Sequence, residues 1–198
     1  MRKYGLVAKM KRRVSGSARM IRYYSGEAHC VGSCPVPDNK TRVWVGDITQ
    51  INTKANPFYL ATVMDRQSRR LIGVAMSEER NASLACQALS QAIRHNPRIT
   101  ADYFHSDQGV EYASYRYREL LDKNEIIRSI SRRGNCYDNA HMESFFHSLK
   151  TEMVYVEDME TPEIGMKKVK EYIKYYNEER RHSSLGYLSP VQFEKRTN

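Results

Sequence analysis

Apolar residues in this chain recur first at every second position and later at every third or fourth. Arg42 to Ile51 is rich in β-branched and apolar residues and predicts a strand with Asp47 inside it. Asn56-Pro57 marks a turn, and Phe58 to Met64 predicts a second strand. Asp65 to Arg70 reads as a polar hairpin loop leading to a third strand, Leu71 to Met76. Three strands joined by short loops predict an antiparallel meander. The period then changes. Ala85, Leu89, Ala92 and Ile93 share one face of a helix over Ala82 to His95, ending before Pro97. Asp102 to Ser106 predicts a short strand that stops at the turn Asp107-Gln108-Gly109. Tyr115 to Lys123 predicts a helix capped by Ser114, and Ile126 to Ile130 a fifth strand. Strands and helices alternating at this length imply parallel pairing through right-handed crossovers.

After Gly134-Asn135 the chain turns into an amphipathic helix, with Asp138 or Asn139 available to cap its first amides. Met142, Phe145, Phe146, Leu149 and Met153 form the apolar face, and Glu143, His147 and Lys150 form a polar stripe beside it. Thr161-Pro162-Glu163 is a strong helix start, and Met166, Val169, Tyr172, Ile173 and Tyr176 give that helix its buried face. Ser189-Pro190 begins a last short helix. The expected fold is α/β, a mixed five-stranded sheet flanked by helices. In it a three-strand antiparallel meander is joined by two parallel strands. Three regions are expected: a basic arm and linker over 1–40, a folded core over 41–160, and a helical extension over 161–198 packed on that core.

With 198 residues, 40% of them hydrophobic, the chain has material for one ordinary core. No apolar run reaches the roughly 18–20 residues that cross a bilayer, and the start has no signal-peptide stretch, so no membrane partner is expected. Four scattered cysteines suit reduced thiols in a cytoplasm. His29, Cys30 and Cys34 offer half of a zinc-site spacing, but no second pair follows them. The net charge of +9 is unevenly placed. Residues 1–24 carry eight Lys and Arg and no acid, whereas the remainder carries 24 against 23 acids. A basic arm on a balanced body points to a polyanionic partner, with nucleic acid favoured over a membrane surface; a solubilising tail is the bland alternative.

Two acids fall at telling places. Asp47 sits mid-strand, where a carboxylate is costly unless something positive compensates it. Asp107 follows the C-terminal end of a predicted parallel strand, where ligands of α/β sheets bind. If the two strands are neighbours, the carboxylates meet at one edge, and the next helix can bring Glu143 to the same point. Alone, Glu143 would read as a solvated surface acid. Three converging acids repel one another unless a divalent cation lies between them, and all-oxygen ligation suits Mg²⁺ or Mn²⁺. Two such ions suit the breaking or exchange of a phosphodiester.

Three blocks of residues carry a family resemblance. They are Trp44-Val45-Gly46-Asp47-Ile48-Thr49, His105-Ser106-Asp107-Gln108-Gly109, and the run from Asp138 through Glu143 to Lys150 and Glu152. Together they resemble the DDE transposases of bacterial insertion sequences, and among these the second-reading-frame (OrfB) proteins with a retroviral-integrase-like core. Thirty-five residues separate Asp107 from Glu143, the interval that group is known for. The tail from Tyr176 through Asn177, Arg180, His182 and Leu185 to Pro190 and Phe193 also resembles the family's C-terminal signature. The resemblance covers about Thr41 to Phe193. It implies an RNase H-like fold with an integrase-like catalytic core over 41–160, and DNA strand cleavage and strand transfer at element ends, without a covalent enzyme intermediate. For related elements the first transfer joins one end to the other, giving a circle.

Carried over by position, Asp47 bridges two Mg²⁺ ions, with Mn²⁺ able to substitute, and Asp107 and Glu143 each complete one. Lys150 reaches a DNA phosphate, and Arg132, Arg133, Asn135 and Asn139 contact the element end. Each basic residue has a plainer reading as solvated surface. The implied partners are DNA, an upstream-frame (OrfA-type) protein or fusion, and further copies of the chain during synapsis. The implied location is the bacterial cytoplasm, at the nucleoid when acting. Gly46 and Gln50 depart from the family pattern beside Asp47, which predicts altered local packing with the carboxylate in place. Residues 1–40 match the family's longer N-terminal segment only loosely, so a truncated copy or the downstream product of a frameshift pair is expected. A catalytically silent DNA-binding or regulatory protein of the same fold is the alternative from another class. A plain ribonuclease is a third, disfavoured by the acid spacing and the tail. His105 and His147 read as structural histidines first and substrate contacts second. Tyr172 and Tyr176 read as core, and Cys136 lacks an evident base for a nucleophile's role.

Overall fold

Val43–Ile51 forms a nine-residue strand, β2, because its β-branched and aromatic residues fit a surface buried on both faces. The computed structural model describes residues 30–31, 41–96, 101–131 and 139–197. β3 (Phe58–Asp65) and β4 (Leu71–Ser77) complete an antiparallel meander with β2. The chain continues through α1 (Ala82–His95), β5 (Tyr103–Ser106), α2 (Val110–Ala113), α3 (Tyr115–Lys123) and β6 (Ile127–Ile130). The sheet order, with β1 (Cys30–Val31) at one edge, is β1-β6-β5-β2-β3-β4. The mixed sheet expected from the sequence is present, and β5 and β6 join it in parallel.

One strand was not foreseen. Cys30 and Val31 pair in parallel with Ser129 and Ile130 of β6, inside a stretch that read as an irregular linker. Two residues carry no readable period. The short strand covers backbone that would otherwise leave β6 an open edge. At the opposite edge, the Val74 amide of β4 donates to the Gln91 side chain of α1 at 2.5 Å.

Side-chain alternation along β2 feeds two cores. Trp44 and Ile48 face α1 and α3, packing with Leu84, Leu89, Phe104 and Tyr117. Val43, Val45 and Ile51 face the other way, against α4 (Ala140–Leu149) and α5 (Pro162–Glu178). Asp47 shares the parity of Val43 and Val45, so it belongs to the α4 side. Among the described residues no helix is long and apolar enough to cross a membrane.

The unusual glycine before Asp47 has a packing reason. A Cβ on Gly46 would lie 2.3 Å from Cζ of Phe104, so the ring occupies the space that a side chain would need. Gly46→Thr is therefore expected to destabilise the fold by about 1–3 kcal/mol in urea unfolding. Adding Phe104→Val should recover part of that loss. An unchanged midpoint in the single variant would show that the ring yields freely.

The tail's polar residues pin the helices to the sheet. Asn177 of α5 accepts from the Leu71 amide and donates to its carbonyl, both at 2.9 Å. Arg180 grips Glu152 through Nε at 2.9 Å and NH2 at 2.6 Å, and also reaches Ser148 Oγ at 3.3 Å. Tyr172 donates its hydroxyl to the same Glu152, at 2.8 Å. Glu152 lies in a π-helical turn, Lys150–Val154, that continues α4 and that the heptad-like spacing did not reveal. The Arg180 hydrogen bonds hold the Glu152 carboxyl below its ordinary range. Arg180→Ala should cost about 1–3 kcal/mol in denaturant unfolding, with Arg180→Lys restoring only part because lysine lacks the two-pronged contact. Equal stability of all three proteins would refute the clamp.

Candidate active site

The parallel pairing of β2 with β5 sets the geometry. Val43, Trp44 and Val45 lie opposite Tyr103, Phe104 and His105, an offset of 60 residues. Extended two residues past the last pair, that offset sets Asp47 level with Asp107. Asp47 remains within the strand and its Oδ1 accepts from the Ile48 amide at 2.7 Å. Asp107 lies just beyond β5, and its Oδ1 accepts from the Gly109 amide at 2.9 Å. Glu143 comes from the first turn of α4, whose Met142, Phe145, Phe146 and Leu149 lock the helix onto the β2 face. The glutamate itself is exposed.

The acids feel one another. Burial pushes the Asp47 carboxyl up to about 7, and the negative charges of Asp107 and Glu143 add to that. The Ile48 amide and the Arg80 guanidinium pull the other way. Burial also raises the Asp107 carboxyl; its Gly109 hydrogen bond and Arg80 oppose the shift. Lys150, at the start of the π turn, is held below the usual ammonium range by burial, while the Asp47 carboxylate favours its charge.

Asn139 stands at the N-terminal boundary of α4 without capping it through its side chain. Its Nδ2 instead donates 3.3 Å to the Gly46 carbonyl, next to Asp47, which ties α4 to β2. The cap expectation fails for Asn139, whose side chain bonds the strand and not the first turn of α4. Asn139 Oδ1 is buried without a partner among the described residues. Arg132, Arg133 and Asn135, expected as DNA contacts, and Asp138, the other possible cap, lie outside the described residues.

His105 is a structural histidine. It is fully buried, with Nδ1 2.8 Å from Ser129 Oγ and Nε2 2.9 Å from Ser131 Oγ, bracing β5 to the β6 end. His147 is exposed on α4. Tyr172 and Tyr176 are in the core as their spacing implied.

Sequence reasoning passed over Arg80 and Glu111. Arg80 lies in the β4–α1 loop, where no periodicity draws attention to a cation. Glu111 is buried four residues after Asp107, in a helix too short to read. The available signal was an acid one turn beyond a suspected ligand.

Among the described residues, no three acid, histidine or cysteine side chains are gathered closely enough to hold one ion among them. Asp47 nonetheless feels the charges of both Asp107 and Glu143. Their chemistry suits a hard cation. The donor set is oxygen only, and the Asp47 carboxyl is raised first by burial and then by the negative charges of Asp107 and Glu143, which Arg80 only partly offsets. Mg²⁺ retains several waters and is commonly held by one or two carboxylates with a phosphate, so it does not require a closed cage.

Fold and acid arrangement together define an integrase-type core, and comparison with known proteins agrees. Residues 37–136 match a family model described as "Integrase core domain", and residues 143–197 match a second model of the same description. Transposase InsF for insertion sequence IS3A of Escherichia coli (strain K12) is 39% identical over 201 residues, covering 96% of this chain and 70% of its own length. The HTLV-2 integrase catalytic core domain in complex with magnesium superimposes with a TM-score of 0.59 at 15% identity, over 77% of this chain and 95% of its own. A chain of the simian T-cell lymphotropic virus intasome in complex with PP2A regulatory subunit B56 gamma gives a TM-score of 0.66 at 18% identity, over 84% of this chain and 59% of its own. This chain belongs to the integrase core family, among the transposases of bacterial insertion sequences.

Proposed function

We propose that the chain is the catalytic part of a DDE transposase that cleaves DNA strands at insertion-sequence ends and transfers the freed 3′-OH to another phosphodiester. The observation carrying this reading is the β2–β5 register, which sets Asp47 level with Asp107 on a sheet whose α4 partner bears Glu143. Asp47, Asp107 and Glu143 would hold two Mg²⁺ ions, or Mn²⁺ in their place. When bound, the ions would activate the attacking hydroxyl and stabilise the leaving oxygen of the phosphodiester. Asp47, in the strand interior, serves as the shared anchor. Lys150 steers a phosphate toward the acids, and its charge limits their mutual repulsion. Asn139, tied to the Gly46 carbonyl beside Asp47, contacts the DNA end. Arg132, Arg133 and Asn135, just before α4, supply sequence-independent phosphate contacts.

The same reading covers the assembly. Residues 41–160 form the catalytic unit, 161–198 brace it, and 1–40 engage DNA or a partner. The upstream-frame protein supplies recognition of element ends, and several copies of the chain synapse them at the nucleoid. Support for multimers comes from the HTLV-2 integrase core, which is described in trimeric and dimeric forms.

The discriminating test is metal dependence. Strand joining should appear with Mg²⁺, vanish with EDTA and return when Mg²⁺ is restored. DNA binding should instead weaken with rising salt in both conditions. Binding with no metal-dependent cleavage or joining, even with the upstream-frame protein present, would favour a silent DNA-binding protein.

A further inference from the structure

Arg80 and Glu111 form a charge pair within the acidic site that the three-carboxylate account does not use. Arg80 Nε donates to Glu111 Oε1 at 2.5 Å, and NH2 approaches Oε2 at 3.4 Å. The glutamate side chain is only 5% exposed, whereas that of Arg80 is 46% exposed. Glu111 is also a close neighbour of Asp107. A side chain on Gly109 would begin 2.9 Å from Asp107 Oδ1 and 3.0 Å from Glu111 Oε2, so the two carboxylates are separated by little more than that glycine. The guanidinium thus stands at the rim of the site, and its charge is felt at both Asp47 and Asp107.

A half-buried ion pair adds little net stability to a fold, since the cost of desolvating its buried carboxylate offsets much of the attraction. The pair makes more sense as a device for aiming the arginine. A guanidinium carries five N–H donors in a rigid plane. Glu111 accepts from Nε and NH2, and NH1 is left without a hydrogen-bond partner among the described residues. A planar, half-exposed donor edge beside carboxylates is well suited to a phosphate oxygen. The ligand needs such help. A DNA phosphate entering this site meets Asp47, Asp107 and Glu143, all of its own sign, and a preorganised cation lowers that barrier without having to reorient.

We propose that Arg80 is a DNA-contacting residue of the site, donating to a non-bridging oxygen of the phosphate at the reacting end, and that Glu111 is the positioning residue that aims it. The proposal rests on the transposase reading for the identity of the DNA, but its test does not rest on turnover. Binding of a fluorescent duplex ending in the element's own terminal sequence would be measured in Mg²⁺ by anisotropy across a salt series. Wild type, Arg80→Lys, Arg80→Gln and Glu111→Gln would be compared. A second duplex would carry an uncharged methylphosphonate at the reacting phosphate.

Arg80→Gln should bind about tenfold more weakly, with the salt slope reduced by about one unit. Arg80→Lys should keep the slope but recover only part of the affinity, and Glu111→Gln should fall between. The methylphosphonate should weaken wild type and leave Arg80→Gln nearly unchanged, because both changes remove the same contact. Should Arg80→Gln fail to fold, the double variant Arg80→Gln with Glu111→Gln avoids an unpaired buried charge and answers the same question. An Arg80→Gln protein with the wild-type slope and the full methylphosphonate penalty would overturn the proposal, whatever its thermal stability. Joining by wild type in the same Mg²⁺ buffer tests the transposase reading separately. A protein that shows the phosphate coupling but joins nothing would sink that reading alone.

Discussion

Glu143→Gln is expected to lower strand joining by about a thousandfold or more, on the order of 4 kcal/mol of transition-state stabilisation, while changing DNA affinity by less than about threefold. Glutamine keeps the size of the side chain and removes its charge. The fold should not notice, because Glu143 is exposed while α4 is held by Met142, Phe145, Phe146 and Leu149 on its other face. What is lost is a hard anionic oxygen on the side of the site opposite the sheet. A joining assay on labelled element ends, run beside an anisotropy titration, separates the two effects. A Glu143→Gln protein that joins ends at the wild-type rate would remove Glu143 from the mechanism.

Asp47→Asn should make the metal-free protein more stable at pH 8, even though it abolishes activity. The native state holds the Asp47 carboxyl at about 7 instead of 3.8, so it disfavours the charged form. The contribution of the neutral acid is therefore fully present below pH 3.8 and is lost as pH rises through 7. Above that, ionised Asp47 costs the fold an amount on the order of a few kcal/mol. Asparagine carries no charge to bury. Melting curves in EDTA should show Asp47→Asn above wild type at pH 8, with the gap closing toward pH 4. Mg²⁺ should raise the wild-type midpoint and leave the variant nearly unmoved, since a ligand that binds only the folded state stabilises it. A variant no more stable than wild type at pH 8 without metal would contradict the crowded-charge description of the site.

The strands and long helices were legible because burial leaves a period, 2.0 along β2 and near 3.6 along α4 and α5. Asp47 and Asp107 stood out for the same reason, one interrupting an apolar strand and the other ending one. Elements too short to have a period escaped notice: the two-residue β1, the four-residue α2 and the π turn after Leu149. Gly46 looked like a departure from family pattern until the Phe104 ring accounted for it. No local pattern could pair Arg80 with Glu111, because that contact joins a loop to a helix 31 residues away. Nor could a local pattern show that the Asn139 side chain leaves α4 uncapped and bonds a carbonyl 93 residues earlier.

The central claim is that Asp47, Asp107 and Glu143 act together on a DNA phosphodiester. Its most direct test mixes the purified chain, with and without the upstream-frame protein, with labelled element-end DNA and Mg²⁺. Asp107→Asn is carried in parallel. The predicted result is a joined strand, readable by sequencing across the junction, from wild type and not from Asp107→Asn. Equal product from Asp107→Asn, or none from wild type even with the upstream-frame protein present, would contradict the claim.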